Sequence, residues 1–169
     1  TTTTGGAATV MGKLEDFLQT EWSELKVYLT SVTDHFATVS VCGPYSKKIL
    51  EKVTQNIDYS DDNFPHMSFK EGLIDKINCR VMRISFTGEL SYEINVQANY
   101  GQSVWEKCMD AGKEYGITPY GTEAMHLLRA EKGFIIVGQE TDGTVTPVDL
   151  QMDWIVSKKK YDFIGKRSL

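Results

Sequence analysis

Several features that would point quickly to a function are scarce or missing in this sequence. Its three cysteines, Cys42, Cys79 and Cys108, lie far apart, and none belongs to a C-x-x-C pair. Neither a disulfide framework nor a cysteine zinc site is therefore predicted. Unpaired cysteines are typical of a reducing compartment, so we expect a cytoplasmic protein. The three histidines are also scattered along the chain, and no metal site is predicted.

Long apolar runs, basic stripes and nucleotide motifs are absent as well. Runs such as Phe134–Val137 are far too short to span a bilayer, which excludes a transmembrane helix. The net charge is -5, and the basic run Lys158–Lys160 is short, so nucleic acid is not expected as a partner. No G-x-S-x-G, G-x-G-x-x-G or Walker sequence occurs, so neither a nucleophile elbow nor a phosphate-binding loop is indicated.

What the sequence does contain is an alternation of helical and strand patterns. Apolar residues at helical spacing predict helices over 7–19, after Pro44, over 102–115 with Gly116 as a stop, and over about 121–132. Period-two alternation predicts strands over 25–30, 37–41, about 73–86, 90–96 and 154–156. We expect the first two strands to pair as a hairpin, and Asp58 to Lys70 to form a polar loop. In the last full helix, Ala124, Leu127 and Leu128 should face inward, and 162–169 reads as the start of another helix.

The order of these elements predicts the fold class. Antiparallel hairpins alternating with helices indicate an α+β domain, with an antiparallel sheet covered by helices on one face. A ferredoxin-like split β-α-β arrangement fits this order, with its first strand expected upstream of Thr1. Because the chain starts with Thr1 rather than Met, we expect residues 1–169 to be one part of a longer protein.

The stretch RISFTGELSYEINV, residues 83–96, carries the main candidate site. It predicts a hairpin turning near 87–89, with Leu90, Tyr92, Ile94 and Val96 on one face and Ser91, Glu93 and Asn95 on the other. The polar face could simply meet water. Alternatively, Glu93 could accept two N–H groups from a flat heterocycle, because both carboxylate oxygens accept in one plane. Glu89 is most simply a solvated turn residue. From the residues alone both interpretations stay open.

Three stretches resemble the folate-binding module of the glycine-cleavage T-protein (aminomethyltransferase) superfamily. They are SFTGELSYEINV (85–96), TPYGTEAMHLLRAEKGFIIVGQETDGTVTPVDL (118–150) and WIVSKKKYDFIGKRSL (154–169). The second stretch is most similar to the branch formed by the alpha subunits of heterotetrameric sarcosine oxidases. The opening TTTTGGA and residues 18–44 resemble the same branch. The resemblance implies the folate-binding fold of that family for nearly the whole chain.

The resemblance also implies an activity for the longer protein. Sarcosine would be oxidised at a flavin, and its methyl carbon would pass to tetrahydrofolate, giving glycine, 5,10-methylenetetrahydrofolate and hydrogen peroxide. FAD or FMN and NAD are the implied further cofactors, and the beta, gamma and delta subunits are the implied partners. We expect the dinucleotide-binding domains and the catalytic acid upstream of this chain, and a barrel domain downstream. Residues 1–169 alone should therefore bind no flavin and show no turnover.

Within this chain the resemblance assigns Glu93 to hold the pterin ring. Phe86, at a position that is often Tyr in the family, and Tyr92 are the other implied cofactor-binding residues. Residues 124–126, Ala-Met-His, replace the A-R-D of aminomethyltransferases. These departures leave two alternatives, a scaffold or subunit-docking module that binds no folate, and a true aminomethyltransferase that depends on a lipoyl carrier protein. The sequence does not distinguish sarcosine from dimethylglycine as the amine.

Overall fold

Four α-helices and four strands form the regular part of residues 4–169. The structure is a computed structural model that describes residues 4–169, and the first three residues of the opening TTTTGGA lie outside it. The elements in chain order are α1 (Ala7–Gln19), β1 (Phe36–Cys42), α2 (Ser46–Val53), β2 (Phe69–Ile74), β3 (Ile77–Met82), β4 (Ser91–Gln97), α3 (Gly101–Gly112) and α4 (Thr122–Lys132). A short 3-10 turn continues α3 to Gly116, whose φ of 70° marks the expected stop. No helix in this range is long and apolar enough to cross a membrane.

The strands form one four-stranded sheet in the order β1-β4-β3-β2, and all neighbours are antiparallel. Strands β1 and β3 therefore run parallel, with β4 between them in the opposite direction. This is the split β-α-β arrangement, with α2 on the connection from β1. The predicted α+β class with an antiparallel sheet is confirmed. The strand expected before Thr1 stays a prediction.

One face of the sheet and the helices α2 and α3 enclose the core. Tyr92, Ile94 and Val96 of β4 are at most 1% exposed, and they join Leu50 of α2 and Val104 of α3 in one apolar cluster. Full burial of such side chains contributes about 1.5–3 kcal/mol each. Strand β4 alternates, so every second residue leaves this core for the opposite face of the sheet.

The connection that was expected to be a polar loop contributes two core residues. Tyr59 and Phe64 are 2% and 0% exposed, and their rings pack on Tyr92 with centroid separations of 5.3 and 5.7 Å. The polar-loop prediction is therefore incomplete. These aromatics lie in irregular backbone, where no periodic pattern reveals which side chains are buried.

Several predicted strands differ in the structure. Residues 25–30 form no strand, and Val27 and Tyr28 are 50% and 95% exposed. The expected hairpin with β1 is wrong because β1 pairs with β4 instead. Residues 154–156 lie in and after the 3-10 turn Asp153–Ile155, and the final segment contains only the 3-10 turn Lys166–Ser168. The hairpin around β4 is wider than expected, because the connection from β3 occupies all of 83–90.

Helix α4 is present, but its buried residue is not one of those predicted. Ala124 is exposed and Leu127 is 61% exposed, whereas Arg129 is only 7% exposed. The Arg129 guanidinium donates to the Phe134 carbonyl at 3.0 Å, and it also bonds the side chains of Gln139 and Glu140. A buried cation needs such partners, and here they come from the following loop.

Candidate functional site

The central feature of the polar face is the Glu93 carboxylate. Glu93 lies in β4, an inner strand, directly opposite Ser40 of β1 and Met82 of β3. The side chain is half-buried and has no hydrogen bond or ion pair with another residue of the described range 4–169. Burial without a compensating donor raises the pKa of this carboxyl. A ligand that brings N–H donors would relieve the cost of burying the carboxylate.

A second unsatisfied polar group lies on the same face. Asn95 is two residues beyond Glu93 and accepts a hydrogen bond at its Oδ1 from Thr38 Oγ1 at 2.8 Å. Its Nδ2 is buried and finds no partner in the described part of the chain. This face therefore carries an acceptor at Glu93 and a buried donor at Asn95, both without partners in the described residues.

The loop 83–90, which leads into β4, is held at both of its ends. Arg83 donates to the Phe64 carbonyl at 2.6 Å and pairs with Asp61 at 2.8 Å. At the other end the Leu90 carbonyl accepts from the backbone N–H of Gly43 at 2.8 Å. Phe86 lies in this fixed loop and is 39% exposed, so its ring is accessible to a ligand.

Tyr92, the other predicted site residue, does not lie beside Glu93. It is 0% exposed and packs in the core on the opposite face of the sheet, where burial raises the pKa of its hydroxyl. Glu89 lies exposed in the loop, as expected. The structure thus places Glu93 and Phe86 where a ligand can reach them and separates Tyr92 from them.

Sequence reasoning missed Tyr120, which precedes α4. Its hydroxyl accepts a hydrogen bond from the Cys42 thiol, with Sγ and Oη 3.3 Å apart, although 78 residues separate the two. Burial, the Cys42 contact and the nearby negative charge of Glu93 together raise the pKa of Tyr120 to about 12. Only the aromatic character of Tyr120 was visible in the sequence, and nothing there linked it to β1.

A cavity of about 480 Å³ adjoins this region without containing Glu93. It follows β1 from Val39 to Cys42, and its other wall includes Trp105, Tyr115 and Met125. Ser40, Cys42 and Tyr120 also line it, so they stand between the cavity and the polar face. The chemistry argues for the polar face as the ligand site, because the unpartnered carboxylate and amide lie there.

The described residues offer binding groups rather than a complete catalytic apparatus. No group of three or more His, Cys, Asp or Glu side chains in residues 4–169 is arranged to hold a metal ion. The polar face offers an acceptor at Glu93, and the exposed aromatic ring of Phe86 lies in the loop that leads into the same strand. Such a face can bind and orient a flat heterocycle that carries N–H groups.

Comparison with known proteins defines the class of this fold. The chain belongs to the GCVT N-terminal domain family, whose model matches residues 1–160. Sarcosine oxidase subunit alpha of Corynebacterium sp. (strain U-96) is 58% identical over 168 residues, which is 99% of this chain and 17% of that subunit. The same subunit of Rhizobium meliloti (strain 1021) is 43% identical over 171 residues, 100% of this chain and 17% of the relative.

A third relative belongs to a different enzyme. Mitochondrial dimethylglycine dehydrogenase of Mus musculus is 37% identical over 144 residues, 85% of this chain and 16% of the relative. The chain therefore spans about one sixth of the length of each of these relatives. The family resemblance seen in the sequence is confirmed.

Proposed function

We propose that this chain is the folate-binding part of a sarcosine oxidase alpha subunit. The observation that carries the proposal is the half-buried, unpartnered Glu93 carboxylate on the polar face of the sheet. In a pterin ring, a ring N–H and the amino group lie along one edge, and a carboxylate can accept from both. Phe86 packs against the ring, and Tyr92 supports β4 from the core side rather than contacting the ligand.

The reaction of the longer protein follows from the same proposal. A flavin held outside this chain would accept two electrons and a proton from sarcosine, with dioxygen as the final oxidant and hydrogen peroxide as its product. The methyl carbon of sarcosine passes to tetrahydrofolate as 5,10-methylenetetrahydrofolate, leaving glycine. The chain described here positions the folate, and groups outside it supply the flavin (FAD or FMN), the NAD site and the catalytic acid. Similarity to an alpha subunit supports further subunits, proposed as beta, gamma and delta, in a cytoplasmic complex.

Titration of the full-length protein with 5-formyltetrahydrofolate tests the proposal. Replacing Glu93 by Gln keeps the size of the side chain but removes its charge and one acceptor, so we expect a loss of about 2 kcal/mol in binding. The matched control is Glu89→Gln, because Glu89 is a carboxylate of the preceding loop that is exposed to solvent. Equal affinities for Glu93→Gln and the wild type would remove Glu93 from the site.

A scaffold that keeps the fold without binding folate is the alternative. Met125 stands where aminomethyltransferases have Arg, and Phe86 cannot offer the hydroxyl of Tyr. If the full-length wild type shows no binding of 5-formyltetrahydrofolate by calorimetry, the scaffold is correct. Turnover with an aminomethyl-lipoyl carrier protein but not with sarcosine would instead favour a true aminomethyltransferase. Comparison of sarcosine with dimethylglycine as substrates identifies the amine.

A further inference from the structure

We propose that Tyr120 is a second ligand-binding residue of the Glu93 site and that its hydroxyl selects for a carbonyl oxygen on the bound ring. This inference rests on the proposed folate function and adds a residue and a specificity to it. The pairing register of β1 and β4 gives the first supporting observation. Ser40 lies directly opposite Glu93, and Cys42 lies opposite Ser91. Residues paired in this way place their Cβ atoms about 4.5–5.5 Å apart on one face of the sheet.

The Tyr120 hydroxyl lies over this same face. Its Oη is 3.3 Å from Cys42 Sγ, and Ser40 is a further hydrogen-bonding neighbour of the hydroxyl. Glu93 is close enough to contribute electrostatically to the titration of Tyr120. Tyr120 is therefore held at Cys42, on the face of the sheet that carries Glu93, and it is still 38% exposed.

The backbone around Tyr120 explains how it reaches β1. The chain leaves α3 through the left-handed Gly116, and α4 begins at Thr122. The Ile117 backbone N–H donates a hydrogen bond to the Gly112 carbonyl at 3.1 Å. This bond fixes the start of the segment 117–121, which runs from the end of α3 to α4. Tyr120 then lines the cavity beside β1, and its hydroxyl reaches Cys42 on the face that carries Glu93.

The chemistry of the two side chains is complementary. The carboxylate of Glu93 only accepts hydrogen bonds, whereas the neutral hydroxyl of Tyr120 can donate one while it accepts from Cys42. A ring that presents N–H groups beside a carbonyl oxygen satisfies both residues at once. A 4-oxopterin has this pattern, and a 4-aminopterin replaces the carbonyl by an amino group that cannot accept from Tyr120.

The test compares two probes on the full-length protein, 5-formyltetrahydrofolate with its 4-oxo ring and methotrexate with its 4-amino ring. For Tyr120→Phe we expect the affinity for the 4-oxo probe to fall roughly three- to tenfold, because one neutral hydrogen bond is lost. The affinity for the 4-amino probe should stay the same, so the ratio of the two affinities falls. Tyr45→Phe is the matched control, since Tyr45 lines the cavity but lies outside the strand face that carries Glu93. It should leave the ratio unchanged.

The outcomes separate the inference from the function on which it rests. An unchanged ratio in Tyr120→Phe, with Glu93→Gln still weakening both probes, overturns the role of Tyr120 and leaves the folate site intact. A wild-type protein that binds neither probe overturns both the role of Tyr120 and the proposed folate function. Cys42→Ala is the second variant, because it keeps Tyr120 and removes only its thiol contact. Cys42→Ala should lower the ratio of the 4-oxo to the 4-amino affinity by a smaller factor than Tyr120→Phe does. If neither variant changes this ratio, the proposal is contradicted.

Discussion

At the scale of single residues, two nearby glutamates show how position decides chemistry. Glu89 lies exposed in the loop before β4, whereas Glu93 is half-buried on an inner strand without a donor in the described range. The same side chain is therefore a solvated surface group at one position and a destabilising group at the other. Sites that bind ligands commonly carry such a cost in the free protein.

This cost predicts a pH-dependent stability. Because the pKa of Glu93 is raised in the folded state, its ionisation destabilises the fold progressively as the pH rises above the ordinary value of 4.5. We expect Glu93→Gln to increase the free energy of unfolding of the ligand-free chain above that pH and to change it little below. Urea unfolding at several pH values measures this. Glu89→Gln is the control, because Glu89 is exposed in the loop before β4. A Glu93→Gln variant that is less stable than the wild type at neutral pH would contradict this prediction.

At the scale of elements, irregular segments are fixed by individual contacts rather than by periodic hydrogen bonding. The loop 83–90 is tied through Arg83 to the connection between α2 and β2 and through Leu90 to Gly43, just after β1, and it also contacts α4. The loop after α4 is tied to that helix through Arg129. The contact of the loop 83–90 with α4 and the contacts of Arg129 can each be changed by a single substitution, which gives two predictions.

Gly88 controls the approach of the site loop to α4. It has a φ of 81°, and an added Cβ would lie 2.2 Å from Lys132 Cγ. We expect Gly88→Ala to lower the free energy of unfolding by about 1–3 kcal/mol, from backbone strain and from this clash. Gly43→Ala is the control, because Gly43 has a φ of 108° with open space around it and adds only the strain. Equal losses in the two variants, measured by urea unfolding, would show that the contact with Lys132 is unimportant.

Arg129 should stabilise the loop 133–140. Removing it in Arg129→Ala leaves the Phe134 carbonyl and the Glu140 carboxylate without this donor, and we expect a loss of about 2 kcal/mol. Hydrogen exchange should accelerate first at the amides of 134–140. Arg80→Ala is the control, since its ion pair with Glu71 is exposed on both sides and should contribute about 0–1 kcal/mol.

The hydrogen bonds to the Glu140 carboxylate also predict how the stability of Arg129→Ala depends on pH. The Ile136 N–H and then Arg129 hold the pKa of Glu140 below its usual value, so this stabilisation is present above pH 4.5 and is lost as the pH falls through the lowered native pKa. The decrease in stability on acidification should be smaller in Arg129→Ala than in the wild type. Parallel pH profiles for the two proteins would argue against the Arg129–Glu140 contact in solution.

At the scale of the whole molecule, much apolar surface has no cover among the described residues. Tyr28, Tyr161 and Ile164 are 95%, 94% and 88% exposed. The apolar stripe of α1 is also uncovered there, with Val10 and Leu14 both 41% exposed. In addition, β1 and β2 are edge strands of the sheet. Surfaces of this kind usually meet another part of a protein or another chain.

We expect the 169-residue chain to self-associate when it is prepared alone. Sedimentation velocity at increasing concentration should show a rising mean mass, because exposed apolar side chains and open strand edges favour association. Replacing Val10 and Leu14 by Lys should shift the distribution towards the monomer. Lys13→Glu, a change at an exposed position of the same helix, should not. A monomer at every concentration would show that these surfaces are well solvated.

Local patterns in the sequence determined the elements whose periodicity is encoded by near neighbours. The amphipathic repeats of α1 and α3 and the alternation of β4 were predicted correctly, and with them the placement of Glu93 opposite the apolar face. The family followed from the resemblance of residues 85–96, 118–150 and 154–169 to its known members. The α+β class followed from the order of the predicted helices and strands. The role of Glu93 itself stays a prediction until ligand binding is measured.

Only the tertiary structure decided what depends on distant parts of the chain. Residues 25–30 alternate like a strand, but no strand of the described sheet pairs with them, and they form no strand themselves. Arg129 is buried because a later loop supplies its acceptors, and Tyr120 reaches Cys42 from 78 residues away. Periodicity reports how a segment divides its own faces between apolar and polar neighbours. It contains no information on which distant segment will lie against either face, and that pairing determines the site.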